Sequence, residues 1–301
     1  MTLAFCVIVL SSSYTLVYSQ SMKLPYWLLY DQGNAFMDSK EYGSALQKYQ
    51  EAIAKAGTFP EAEMAIGDIL REEGEADLAI RHYTKAYNLR NSFYIPETKY
   101  DCLYKLARIY EEQRMYRQME DSLLAIVMDD KGFNQPATSH IRDQIESNYY
   151  NNGLDFVLKL YRFTVFFPEE AHSRLGWYYY KTGRFKQSVV HFLFSLIYKT
   201  SESSNYMASK DVDFQFLTLR DFLGQTSADK EVNQYLSSAD IYKDLYYLAG
   251  STFAEGYPEH ASQIWKLLLD TKSPKPYADL SRKQLKSPWI EPFIQMPLRA
   301  K

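Results

Sequence analysis

Residues 60–87 read PEAEMAIGDILREEGEADLAIRHYTKAY, and residues 26–55 read YWLLYDQGNAFMDSKEYGSALQKYQEAIAK. Laid on one another, Gly33, Ala45, Tyr49 and Ala52 become Gly67, Ala79, Tyr83 and Ala86, each 34 residues later. A fixed period of this length, with two helix-sized halves per period, marks a unit that cannot bury its own apolar face alone and must stack on its neighbours. The small residues let two helix backbones approach closely. The larger Phe36 and Tyr49 fill the space beside them. Gly74 stands where the first helix of its unit must stop and reverse, and glycine accepts the left-handed backbone such an end requires.

The same offsets extend outward. After a longer joint over residues 91–99, Leu106, Ala107 and Tyr110 repeat the first-helix pattern, with Tyr116 at the turn and Met119, Leu123 and Ile126 in the second helix. Residues 129–136 read as a loop. A degenerate helical pair follows, with Ile141, Ile145 and Tyr149 on one stripe and Leu154, Val157 and Leu160 on the next. The clearest single copy begins at Leu175-Gly176-Trp177, with Gly183 and Phe185 at the turn. In its second helix Ser188 and Ser195 replace both small alanines around Phe192. Residues 200–239 leave the pattern: Ser201–Ser204 reads as a polar loop, Val212, Phe216, Leu219 and Leu223 as one inserted helix, and Val232 and Leu236 as another. A last unit runs through Leu248, Ala249, Gly256, Ala261, Trp265 and Leu268. Residues 274–301 read as a docked or loose cap, rich in Pro and Lys, with Trp289 and Phe293 among breakers.

On these residues the chain resembles the tetratricopeptide-repeat family, with motif support over roughly residues 26–270. The resemblance implies an all-α, right-handed superhelical solenoid of about five to six antiparallel helix pairs, some degenerate, whose first helices line a concave groove. The expected organisation is a leader at 1–19, repeats over 20–199, a helical insertion at 200–239, a terminal pair at 240–273 and the tail. By that geometry the groove presents Trp27, Tyr30, Asn34 and Met37, then Met64, Asp68 and Arg71, then Tyr104, Arg108 and Glu111, then Ser173, Trp177 and Tyr180. Trp, Tyr and Arg are common energetic anchors of interfaces, although Trp27 and Trp177 are equally suited to packing against neighbouring units. Family members that grip a partner's C-terminal carboxylate use a basic clamp. Asn34 fits it, but Met64, Asp68, Arg108 and Glu111 do not.

The first nineteen residues carry an apolar run from Leu3 to Leu10 and no charge before Lys23. They read as a secretory signal peptide cut after Ser19 or Ser21, or as an uncleaved anchor. Cys6 lies in that leader behind a bulky Phe5, a poor lipid-acceptor context, and Cys102 is then alone, so an internal disulfide is not expected. The net charge of −3 opposes a nucleic-acid surface. His82, His140, His172, His191 and His260 show no zinc spacing, and His82 and His191 read as boundary residues. The doublets Glu111-Glu112, Asp129-Asp130 and Glu169-Glu170 read as helix starts or solvent faces. No phosphate loop or nucleophile elbow is present. The expectation is an exported, non-enzymatic adaptor of the periplasm or cell envelope, without cofactor or metal. It would bind another protein or a peptide segment, and membrane association would come through the leader or a membrane partner. One rival is a transporter-associated carrier with an aromatic pore formed by Trp27, Tyr30, Trp177 and Tyr180. The other is a hydrolase using Glu169 and Glu170.

Overall fold

The computed structural model describes residues 24–134, 139–271, 273–291 and 293–294. The expected leader, with Cys6, lies outside them. The described residues form helices and no strand. In chain order these are α1 (Tyr26–Asp38), α2 (Tyr42–Ala56), α3 (Pro60–Glu72), α4 (Ala76–Asn88), α5 (Thr98–Glu112), α6 (Tyr116–Met128) and the single turn α7 (Lys131–Asn134). Then come α8 (Ser139–Asn152), α9 (Leu154–Leu160), α10 (Glu169–Lys181), α11 (Phe185–Lys210), α12 (Leu219–Thr226) and α13 (Lys230–Ser238). The chain closes with α14 (Ile241–Ala254), α15 (Pro258–Asp270) and α16 (Tyr277–Lys286). No helix among the described residues is long and apolar enough to cross a membrane.

The helices pack as adjacent pairs, and one register recurs in α1–α2, α3–α4, α5–α6, α10–α11 and α14–α15. Seven residues after the small first-helix residue stands a left-handed backbone: Lys40, Gly74, Arg114, Gly183 and Gly256, with φ between 55° and 90°. One residue further on, an amide reaches back to the carbonyl five positions earlier. These bonds are Glu41 N to Phe36 O at 2.9 Å, Glu75 to Leu70 at 2.8 Å, Met115 to Tyr110 at 2.7 Å, Arg184 to Tyr179 at 2.8 Å and Tyr257 to Thr252 at 3.1 Å. This closure satisfies carbonyls that a helix end would leave bare. Glycine relieves the strain at three of these positions, while Lys40 and Arg114 adopt the same turn without it.

Close approach explains the small residues. A Cβ on Gly33 would lie 2.5 Å from the Tyr49 ring, on Gly67 2.6 Å from the Tyr83 ring, and on Gly176 2.8 Å from the Phe192 ring. In α5–α6 the same offset pairs Ala107 with the slimmer Leu123, both fully buried. The partner of the tyrosine hydroxyl is set by the next residue. Tyr49 donates to Asn34 Oδ1 at 2.8 Å and Tyr83 to Asp68 Oδ1 at 2.7 Å. Where the aromatic residue is Phe192, which has no hydroxyl, Trp177 stands in place of that acceptor.

Several expectations change. The degenerate pair α8–α9 forms, but outside the stack: α6 packs directly on α10, and α8 and α9 lie against the long α11. Ser201–Ser204 is not a loop. It continues α11, with Ser201 and Ser203 buried beneath the flanking helices. Two of the hydroxyls bond backbone, Thr200 to Leu196 O at 2.8 Å and Ser201 to Phe163 N at 3.1 Å, whereas those of Ser203 and Ser204 are buried without a hydrogen-bond partner among the described residues. Val212 and Phe216 precede the inserted helix rather than joining it, since α12 begins at Leu219 behind a Thr218 cap. Residues 131–134 form a helical turn within the expected loop. Within the expected tail, residues 277–286 form α16, which packs on α15 and α14.

Candidate functional site

The expected groove residues separate into three groups. Around α1 and α3, Trp27 is 55% exposed, while Tyr30 is half-buried, its ring 5.1 Å from that of Phe59 and 5.5 Å from that of Tyr49. Tyr30, Asn34, Met37, Met64 and Asp68 line a notch of about 140 Å³. Asn34 and Asp68 are already engaged by the tyrosine hydroxyls, and Lys105 Nζ adds an ion pair to Asp68 at 2.6 Å. Met64 meets Cys102, its sulfur 3.6 Å from the thiol. Burial pushes that thiol up to about 12, so it is neither a thiolate nor a nucleophile at neutral pH. Arg71 reaches Glu112 of the next unit at 3.4 Å.

The second group surrounds a larger cavity of about 600 Å³ between α5, α10 and the α13–α14 turn. Its walls include Arg108, Glu111, Arg174, Trp177, Asp240 and Lys243. Arg108 is exposed. Arg174 bridges α5 and α10 by pairing with Glu111 at 2.7 Å and Glu170 at 3.3 Å. The Lys243 ammonium lies 5.9 Å from the Trp177 ring centroid, near the limit of a cation–π contact. Signs therefore alternate along the cavity, and an aromatic face lies among them.

A third group belongs to packing. Tyr180 is buried, its ring against Phe185 and Tyr247 and close to Gly250 and its hydroxyl accepting from Glu291 N at 3.0 Å, so it does not line an open surface. Ser173 is buried and donates to Asp244 Oδ1 at 2.6 Å. Tyr104 fills the seam between α5 and α10. It donates to Phe167 O at 2.6 Å and accepts from Ala171 N at 3.1 Å. These positions lose their groove role because α14 and the segment before α10 close over them, and first-helix register alone does not show such cover.

Behind the larger cavity lies a buried polar cluster. Lys199 and Asp244 are both fully buried and form an ion pair. Ser195 donates to Asp244 Oδ2 at 2.7 Å, and Glu169 Oε1 lies 3.3 Å from Lys199. Burial pulls the Lys199 ammonium down, but the carboxylates of Asp244 and Glu169 outweigh it and hold the group above its ordinary value. The amine is thus protonated at neutral pH and unsuited to attack a carbonyl. The Tyr235 hydroxyl lies 2.8 Å from Glu169 Oε2 and 2.6 Å from Glu202 Oε2, and its single proton serves one of them at a time. Glu169 stands at the start of α10, one of the two expected placements, but is largely buried rather than on a solvent face. Asp130 is buried as well and accepts from Tyr198.

His191 is likewise no boundary residue. It is buried beside His172, with their Nδ1 atoms 3.0 Å apart among Phe133, Phe194 and Tyr198. Burial pushes His191 down to about 3, helped by Arg142 and Arg184, and pushes His172 well below its ordinary value, so both rings are neutral. One Nδ1 donates and the other accepts. His82 stays at the boundary and bonds the buried Glu63 at 2.9 Å. Among the described residues no group of three or more His, Cys, Asp or Glu is placed to hold a metal ion.

Sequence reading missed Lys199, Asp244, Arg174 and Lys243. A signal existed for the first two. Lys199 falls on the same helical stripe as Ser188, Phe192 and Ser195, and serine at both small sites points to a polar neighbour.

No family model matches the chain. It is similar to an uncharacterized protein of Borreliella burgdorferi, 25% identical over 304 residues that cover 90% of this chain and 93% of that one. It is also similar to an uncharacterized protein of Treponema pallidum, 18% identical over 226 residues that cover 74% of this chain and 60% of the other.

Proposed function

We propose that this chain is a non-enzymatic helical-repeat scaffold of the tetratricopeptide type, with a right-handed superhelix of five or six units, which binds another protein along its inner face. The observation that carries this reading is the cavity formed by Arg108, Trp177, Asp240 and Lys243. It lies between stacked units, carries side chains that the stacking register does not require, and alternates charge around an aromatic face. Such a surface suits a polypeptide with both signs of charge better than it suits a nucleic acid. The reading includes export, with action in the periplasm or at the cell envelope, and rests there on the apolar run from Leu3 to Leu10 alone.

The carrier reading needs one enclosed pocket shared by Trp27, Tyr30, Trp177 and Tyr180. Tyr30 lines the small notch, Trp177 lines the larger cavity and Tyr180 is buried elsewhere, which favours the scaffold. The hydrolase reading needs Glu169 and Glu170 free to work as a pair. Glu169 is held by Lys199 and Tyr235, which also favours the scaffold.

The test is capture of partners from the cell envelope by the purified chain, followed by binding of each identified protein in isolation. Arg108→Glu with Lys243→Glu should abolish binding of a genuine partner and leave the fold intact. Binding unchanged by that pair of substitutions would overturn the reading.

A further inference from the structure

The inner face near α10 and α14 is already occupied, and by the chain itself. After α16 the backbone leaves the end of the stack and runs back over first-helix residues. Gln284 turns it, donating to Trp289 O at 3.1 Å and accepting from Trp289 N at 2.9 Å. Glu291 then sits among α10 and α14 side chains: its carboxylate pairs with Lys181 at 2.9 Å and accepts from Tyr247 at 3.3 Å. Its amide donates to the Tyr180 hydroxyl at 3.0 Å. Two residues on, the Phe293 ring lies over Gly183 and 6.1 Å from the Phe185 ring. Ile294 N donates to Lys181 O at 3.0 Å.

We infer that this tail is a built-in ligand and that the surface beneath it binds an extended partner segment with a carboxylate two residues before an aromatic side chain. The inference rests on the scaffold reading and names the partner chemistry of the C-terminal end of the inner face. Three observations carry it. The segment is not needed to close the stack, because α16 already covers α15. Its contacts are those a bound peptide would make, with the Glu291 carboxylate on Lys181, the Phe293 ring on the turn glycine and the Ile294 amide on a backbone carbonyl. Its outer side is open to solvent, since Phe293 remains 55% exposed. A tethered segment competes at high local concentration, so even weak docking masks the site until a stronger segment displaces it.

The test uses the full chain and a fluorescent peptide with the sequence of residues 285–294. Parent chain is compared with a variant whose tail is released by Glu291→Ala and Phe293→Ala, using fluorescence anisotropy. The released variant should bind the peptide at least about tenfold more tightly than the parent. Adding Lys181→Glu should remove that binding, and a peptide with Lys in place of Glu at position 291 should not bind. Should the double variant melt far below the parent, Glu291→Gln, which removes only the ion pair, carries the same comparison. Equal binding by parent and released chains, or none by a folded released chain, would overturn the inference. If Arg108→Glu with Lys243→Glu still loses an identified partner in that case, the scaffold reading survives and this inference alone has failed.

Discussion

Replacing Gly67 with alanine should destabilise the chain although alanine is the better helix former. In an unconstrained helix interior the change is worth about 1 kcal/mol in favour of alanine. Here the new methyl would lie 2.6 Å from Tyr83 Cε1 and 2.7 Å from Cδ1. The ring has no room to yield. It is fully buried, and its hydroxyl is anchored to Asp68 at 2.7 Å. Overpacking of this kind costs about 1–3 kcal/mol, and pulling the hydroxyl off a charged acceptor costs about 1.5–3 kcal/mol more. The expected net loss is roughly 1.5–5 kcal/mol after the helix gain is subtracted. The α5–α6 pair supplies the rescue, since it places Ala107 and Leu123 at the same offsets. Gly67→Ala combined with Tyr83→Leu should therefore be more stable than the sum of the single effects by about 1 kcal/mol or more, as a double-mutant cycle reads it. A stacked array can open by parts, so hydrogen exchange of α3 and α4 amides should accompany the urea midpoint. An alanine variant as stable as the parent, or a cycle that shows strict additivity, would refute the close-contact argument.

Three further outcomes follow from the buried groups. His172 and His191 are depressed in the fold, so the unfolded chain binds more protons below its ordinary histidine value of about 6.5. Their contribution is present above that pH and is lost as pH falls toward 3. Urea midpoints between pH 6.5 and 4 should fall less steeply in His191→Leu than in the parent, by about 1.4 kcal/mol per pH unit, and parallel profiles would count against a neutral buried pair. Lys199→Met leaves Asp244 buried without its cation and should cost about 3–5 kcal/mol, with part recovered by adding Asp244→Asn. No loss in a chemical melt would mean that the ion pair is not buried. Trp27→Ala should change stability by no more than about 0.5 kcal/mol, whereas Tyr180→Ala should cost about 3 kcal/mol or more. Equal melting temperatures would erase the distinction between groove and packing aromatics.

Much of the fold was legible because the stacking contacts are local. Gly33 and Tyr49, Gly67 and Tyr83, and Gly176 and Phe192 each meet across a single turn, so a fixed sequence offset encodes each contact. Helix existence, pair register and the turn at Gly74 follow from that. The loop assigned to Ser201–Ser204 failed for the opposite reason. Those serines are polar in sequence, yet α11 runs through them because α8, α9 and α13 cover it. The candidate site was legible only as a face. Trp177 and Arg108 stand beside the large cavity as the first-helix register places them, whereas Tyr180, Ser173 and Tyr104 are drawn into seams by α14 and the residues before α10.

The sequence by itself determined the repeating helix pair, since backbone closure at a left-handed turn and a small residue facing a ring are both short-range requirements. Only the tertiary structure decided that α8–α9 leaves the stack, that Lys199 pairs with Asp244 and His172 with His191, and that Glu291, Phe293 and Ile294 lie against Lys181 and the turn at Gly183. Each of these depends on which surfaces the helices cover after stacking. Segments 19 to more than 100 residues apart then meet, and the charge or ring that one supplies has meaning only against the partner that the other brings.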